Sequence, residues 1–208
     1  MSPAVFIHIG TTAELLEMMT KDVEKYSSQG WKRAVNSNVC AIDRYSANNS
    51  FIDENTIIGD GSYIENSCLY KSKVGKGCIV SNLILDSIEI PDNTVIHCLK
   101  QKDGDYVVRI YGTYDDPKQG LDDGGTFLGI PMREYMQKRK LNVTDLWDSD
   151  PNSLWNAKLF FKSDSLQQSM EYALNICTES AEICDIDSRV SLKQSYENAD
   201  AADVFKLD

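Results

Sequence analysis

Between Ile52 and Ile96, small aliphatic residues recur at a spacing that ordinary loops would not produce. Ile52, Ile58 and Ile64 lie six residues apart, as do Cys68, Val74 and Val80, and again Ile84, Ile90 and Ile96. Each triplet begins sixteen residues after the one before it, and the segments between them superimpose: Ile58-Gly59-Asp60-Gly61-Ser62, Val74-Gly75-Lys76-Gly77-Cys78 and Ile90-Pro91-Asp92-Asn93-Thr94. A six-residue aliphatic period predicts a hexapeptide-type β-helix. Each hexad gives a short strand with one side chain directed inward, then a turn. Three hexads close a coil, and coils stack through backbone hydrogen bonds. A coil of eighteen residues would be the regular case, so a repeat of sixteen implies one shortened corner per turn. The expected fold class is mainly β: a short left-handed β-helix with an N-terminal strand-helix and a small helical C-terminal region.

The Gly-x-Gly triplets at Gly59/Gly61 and Gly75/Gly77 admit a second reading, a phosphate-binding loop. Such a loop places its glycines between a strand and a helix, with Lys-Ser or Lys-Thr following in the P-loop form. Here strand-like sequence resumes after each pair, and the third copy carries Pro91 and Asn93 instead. Those residues suit a turn and would spoil a phosphate cradle. The glycines are read as corners.

Three regions follow from the pattern. Residues 1–31 form a lead-in, with "AVFIHIG" as a strand and "TTAELLEMMTKDVEKY" as a helix opened by a capping box from Thr11 to Glu14. Residues 32–112 form the β-helix, beginning with an irregular Asn/Ser-rich first coil at 32–51 and ending with "YVVRIYG", which alternates like a strand leaving the stack. Residues 113–208 open on a long Asp/Gly/Pro-rich loop. Helices are expected from Pro131 with Met132, Tyr135 and Met136 on one face, in 165–177 with Leu166, Met170, Ala173, Leu174 and Cys177 aligned, and within 188–207. Trp147, Trp155 and Phe160 are expected packing anchors.

Composition narrows the function classes. With 21 Lys plus Arg against 32 Asp plus Glu, the net charge of −11 opposes binding to nucleic acid or anionic membranes. No apolar run is long enough to cross a bilayer and no signal peptide is apparent, which points to a cytoplasmic protein. The six cysteines never form Cys-x-x-Cys and are read as reduced, mostly buried thiols; with two distant histidines, no metal site is expected. Arg109, Asp115, Asp116 and Lys118 are candidate substrate-binding residues, set against a plain reading as solvated surface and loop. His97 could serve a β-helical acyltransferase as general base toward acetyl-CoA, but it has no distinctive partner in the sequence. His8 reads as a strand histidine. No catalytic residue is assigned, and a non-catalytic module for oligomerisation stands as a further alternative.

Several stretches, in order, resemble the fucose-1-phosphate guanylyltransferases (GDP-fucose pyrophosphorylases), including the bifunctional fucokinase/pyrophosphorylase form. They are "FIHIGTTAELL" (6–16), "GSYIENSCLYKSKVGKGCIVS" (61–81), "YGTYDDPKQGLDDGGTFLGIPM" (111–132), "DLWDSDPNSLWNAKLFF" (145–161) and "RVSLKQSY" (189–196). Phe161 departs from the proline usual after Leu-Phe in the family. The resemblance implies transfer of GMP from GTP to fucose 1-phosphate with release of pyrophosphate. It also implies that the GTP loop and the acidic residues for magnesium belong to an N-terminal nucleotidyltransferase half, which would be this chain's partner. No cofactor is expected in this chain itself. A fucokinase domain, where the parent carries one, and further copies of the chain are the other partners implied. The isolated chain is then expected to be inactive.

Overall fold

The computed structural model describes residues 9–39, 43–177 and 188–201. The expected strand at 4–10 falls largely outside them, as do His8, Cys40 and Cys184. A β-solenoid of about four turns occupies the first half. Its strands are β1 (Ala34–Val35), β2 (Ser46–Asn48), β3 (Phe51–Ile52), β4 (Ile57–Ile58), β5 (Tyr63–Glu65), β6 (Cys68–Tyr70), β7 (Lys73–Val74), β8 (Ile79–Ser81), β9 (Ile84–Asp86), β10 (Glu89–Ile90) and β11 (Thr94–Lys100). Stacking places β1-β2-β5-β8-β11 in one parallel sheet, β3-β6-β9 in a second and β4-β7-β10 in a third. The irregular first coil expected at 32–51 is present, with Ala34 and Val35 paired to Ala47 and Asn48.

The six-residue spacing holds at only some corners. Ile52, Ile58, Ile64, Val74, Val80, Ile90 and Ile96 point inward as expected. Cys68 and Ile84 do not: Ile84 is 47% exposed, and in their place Leu69 and Leu85 are fully buried beside Ile52. The cause lies in the corners. Asn49, Asn66 and Asn82 take left-handed φ values of 46°, 45° and 56°, as do Lys71 and Ser87 at 47° and 59°. One left-handed residue turns the chain in a five-residue step from inward residue to inward residue. The Gly61, Gly77 and Asn93 corner, also left-handed, keeps a six-residue step, as does the step from Ile52 to Ile58 in the first regular coil, where residues 53–57 include no left-handed one. The sixteen-residue coils therefore contain two shortened corners where one was expected. Asparagine tolerates this backbone because its short amide hydrogen-bonds locally, and Asn49 Nδ2 donates to Asn66 Oδ1 across coils at 2.9 Å. Leu69→Ala should cost about 2–5 kcal/mol in denaturant unfolding, whereas Cys68→Ala should cost under about 1 kcal/mol. Equal costs would restore the six-residue register.

Buried serines in the stack accept backbone amides from coil to coil. Ser62 Oγ accepts from Cys78 N (3.0 Å), Ser67 Oγ from Leu83 N (3.2 Å) and Ser72 Oγ from Ile88 N (3.1 Å). At the first coil, the Asn38 side chain substitutes for a strand: Nδ2 donates to Ile52 O and Oδ1 accepts from Ile52 N, both at 2.8 Å.

The large sheet continues past the solenoid. β12 (Tyr106–Gly112) runs antiparallel to β11. A short hairpin of β13 (Thr126–Phe127) and β14 (Ile130–Pro131) follows, and then β15 (Phe160–Ser163) and β16 (Arg189–Val190) extend the sheet antiparallel. One apolar cluster runs from Ala47 in the solenoid through Val108, Phe127 and Phe160 to Leu192. Helix α1 (Thr12–Thr20) packs on a separate cluster with Tyr63, Ile79 and Val95, while among the described residues α2 (Met132–Arg139), α3 (Val143–Leu146), α4 (Leu166–Cys177) and α5 (Leu192–Glu197) add buried side chains to the large one.

The α1 capping box forms as expected, and Met132, Tyr135 and Met136 of α2 are buried. Trp147 and Phe160 are buried anchors, and Trp155 is partly buried. In α4 the buried face is Ser169, Tyr172, Ala173 and Ile176, rotated from the one expected; Leu166, Met170, Leu174 and Cys177 sit at its margin. Ser169 sets that rotation. Its Oγ accepts from Val108 N at 2.8 Å and donates to Phe161 O at 2.7 Å, satisfying two backbone groups of β12 and β15 that would otherwise be buried unpaired. No helix among the described residues is long and apolar enough to cross a membrane.

Candidate functional site

Two rows of side chains cross the outer face of the large sheet. Tyr63, Ile79 and Val95 are buried beneath Leu16 of α1, with Tyr111 packed beside them. Two residues along each strand lies a polar row: Asn48, Glu65, Ser81, His97 and Arg109, registered strand to strand. Glu65 accepts from Tyr63 OH at 2.9 Å and from Ser81 Oγ at 2.7 Å. Arg109 is not on the surface: it is 7% exposed and roofed by α5, with Nη1 3.5 Å from Leu192 O and 3.4 Å from Ser195 Oγ. Its Nη2 donates to His97 Nδ1 at 3.1 Å. A guanidinium only donates, so Nδ1 accepts and Nε2 carries the imidazole proton.

His97 Nε2 is shut off from solvent. Burial, followed by the Arg109 charge, holds His97 well below its ordinary pKa, and burial lowers Arg109 to about 10. A base with one nitrogen occupied by a cation and the other enclosed has no path to a thioester. The acetyl-CoA reading therefore loses its central residue. The groups facing His97 are Arg109 and the edge of the Tyr111 ring from β12 (5.9 Å between centroids) and the neutral Ser81 from β8. In the unfolded chain His97 takes up a proton near pH 6.5, whereas in the folded chain it stays neutral, so stability falls as pH drops below about 6.5, by at most ~1.4 kcal/mol per unit. His97→Gln should flatten that limb of an unfolding-versus-pH profile, and an unchanged slope would remove His97 as its source.

Asp115, Asp116 and Lys118 converge on a different place. A cleft of about 500 Å³ lies between the start of α1 and the loop after β12, with Trp155 at its side. Its walls include Ile9, Leu15, Tyr114, Lys118 and Trp155. Asp115 lines it but is committed inward. Oδ2 accepts from Gly112 N (2.6 Å) and Leu128 N (2.8 Å), and Oδ1 accepts from Thr126 Oγ1 (2.7 Å) and Gly129 N (3.1 Å). This carboxylate ties the end of β12 to the β13–β14 hairpin and is a structural hub. Asp116 Oδ1 accepts from Lys118 N at 2.9 Å, forming a side-chain turn that presents the exposed Lys118. Sequence reading grouped these residues but did not foresee the opposite wall from α1. Trp155, read there as a packing anchor, is only partly buried; its ring lies 6.2 Å from that of Tyr196. Among the described residues no three of His, Cys, Asp and Glu are grouped so as to hold a metal ion.

The family model described as the fucose pyrophosphorylase domain matches residues 1–163. The chain is 27% identical to human fucose-1-phosphate guanylyltransferase over 197 residues, covering 82% of this chain and 31% of that protein. It is 37% identical over 57 residues to the Arabidopsis thaliana bifunctional fucokinase/GDP-fucose pyrophosphorylase, covering 26% of this chain and 5% of that protein. The chain thus spans less than a third of the length of these curated relatives. No solved structure matches significantly.

Proposed function

Since the chain belongs to the fucose pyrophosphorylase family, we propose that it is the β-solenoid portion of a GDP-fucose pyrophosphorylase, of the left-handed hexapeptide type. The parent reaction is attack of the fucose 1-phosphate oxygen on the α-phosphorus of GTP, with pyrophosphate leaving. The observation that carries the reading is the family match across the lead-in, the solenoid and the sheet up to β15. In this reading the solenoid buttresses a nucleotidyltransferase half, and the cleft beside α1 forms one side of the sugar site. Magnesium and the triphosphate belong to the partner half, where cations neutralise the phosphate charge that builds during transfer.

The internal geometry supports this division of labour. Gly59, Gly75 and Gly77 are packed closely against the neighbouring coil, and Gly61 supplies a left-handed corner. Gly59 packs so tightly on the coil above that a Cβ would lie 2.5 Å from Gly75 C. The test is pyrophosphate release with GTP, magnesium and fucose 1-phosphate. The isolated chain should run at the blank rate, while a polypeptide that also carries the nucleotidyltransferase half should turn over. Release proportional to the concentration of the isolated chain would overturn the proposal.

A further inference from the structure

Trp155 gathers distant stretches of the chain into one surface. Its backbone N donates to Pro117 O at 2.7 Å and its O accepts from Lys193 N at 2.9 Å, so the loop after β12 and helix α5 meet on either side of it. Around its partly buried ring the surface is open and aromatic. Tyr114, which lines the same cleft as Trp155, is 70% exposed, and Tyr196, whose ring lies beside that of Trp155, is 64% exposed. Ile9, also exposed, shares the lining with Tyr114 and Trp155. Lys118 and Lys193 stand exposed next to these rings, and neither is ion-paired among the described residues. Aromatic side chains at the centre and charged ones at the edge are the anatomy of a protein–protein interface, with tyrosine and tryptophan as its usual anchors.

Resting on the proposed function, we infer that the nucleotidyltransferase half of the parent polypeptide docks on this surface, with Tyr114 and Tyr196 as anchors and Lys118 and Lys193 facing acidic groups of that half. Size and charge select this occupant over a second copy of the chain. The exposed parts of Ile9, Tyr114 and Tyr196 amount to roughly 400 Å², short of the roughly 800 Å² per partner in a stable association of free proteins. A half carried on the same polypeptide needs less area, because its tether holds it at a high effective concentration. Two copies meeting symmetrically here would set the same patch against itself, lysines near lysines, and each brings a net charge of −11. The patch also borders the cleft beside α1, so a half seated on the tyrosines closes that cleft from its open side. Less than a third of each curated relative is matched by this chain, and those proteins carry a large further portion.

The test is hydroxyl-radical footprinting read by mass spectrometry, comparing the isolated chain with a polypeptide that also carries the nucleotidyltransferase half. Tyr114 and Tyr196 should be oxidised about fivefold or more slowly in the longer polypeptide, because the centre of an interface is closed to water. Tyr70, 37% exposed in the separate β3-β6-β9 sheet, should react alike in both. Replacing both anchors, Tyr114→Ser together with Tyr196→Ser, should leave urea unfolding of the isolated chain unchanged. In the longer polypeptide the same pair should raise Trp155 oxidation to the rate seen in the isolated chain. Equal rates at Tyr114 and Tyr196 in the two polypeptides would overturn the inference. So would protection in the isolated chain that grows with its concentration, the mark of a second copy. Pyrophosphate release is measured on the same longer polypeptide, and open rings alongside full turnover would overturn the docking surface while leaving the proposed function standing.

Discussion

Gly75→Ala is expected to lower stability by about 3 kcal/mol or more, among the largest effects of any single methyl in this chain. A Cβ at that position would lie 2.5 Å from Asp92 N and Asp92 Oδ1 and 2.7 Å from Pro91 C. Two of these are backbone atoms of the next coil, and they cannot move aside as the tip of a side chain could. Gly75 N also donates to Ile90 O at 2.9 Å, so separating the coils to admit the methyl breaks the ladder at that rung. Gly61→Ala meets no atom within 4 Å, and its cost comes from the left-handed φ of 70° alone. It should be the milder change, about 1–2 kcal/mol. Urea unfolding of the two variants gives the comparison; a Gly61 variant more damaged than the Gly75 variant would contradict the stacking geometry.

Asp115→Ala should be comparably severe, about 3–5 kcal/mol, because it leaves donors of three backbone amides and one hydroxyl without their shared acceptor. The damage should be local first. Amide exchange at Gly112, Leu128 and Gly129 should accelerate while amides of the solenoid interior, such as Val80, stay protected. Asp115→Asn keeps two of the acceptor sites but replaces the other oxygen with a donor facing donors, so it should recover little. If Asp115→Ala were as stable as the parent chain, the carboxylate would be a free ligand, and the cleft would have to be redrawn with Asp115 in it.

The solenoid was legible because its evidence is periodic. Aliphatic residues repeat, and Gly61, Gly77 and Asn93 mark the same corner in successive coils. What escaped was the step length at the other two corners. Asn66 and Asn82, Lys71 and Ser87 are all compatible with either a five- or a six-residue step, and only the stacked backbone decides which neighbour, Cys68 or Leu69, faces the core. The orientation of α4 escaped for a different reason. Apolar spacing alone favoured Leu166, Met170 and Leu174, yet the unpaired Val108 amide and Phe161 carbonyl required a hydroxyl, and Ser169 supplied it. Long-range demands of this kind leave no local mark.

The candidate site was legible in part. The Asp/Gly/Pro-rich loop drew attention to Asp115, Asp116 and Lys118, and the structure brings all three to one cleft. Their roles divide only in three dimensions, since Asp115 turns inward to the β13–β14 hairpin while Lys118 faces the opening. Arg109 lies three residues before Gly112 and reads the same as any strand arginine. Its burial beside His97 depends on α5, more than eighty residues later. Nothing in the local sequence announces that roof.

The most direct test of the whole account is a two-dimensional amide NMR titration of the isotopically labelled chain, first with fucose 1-phosphate and then with GTP and magnesium. The account expects fucose 1-phosphate to shift the amides of Leu15, Tyr114, Lys118 and Trp155, and GTP to leave Gly59, Gly61, Gly75 and Gly77 in place. Saturable shifts centred on those glycines would mean that the corners grip a nucleotide after all, and would contradict it.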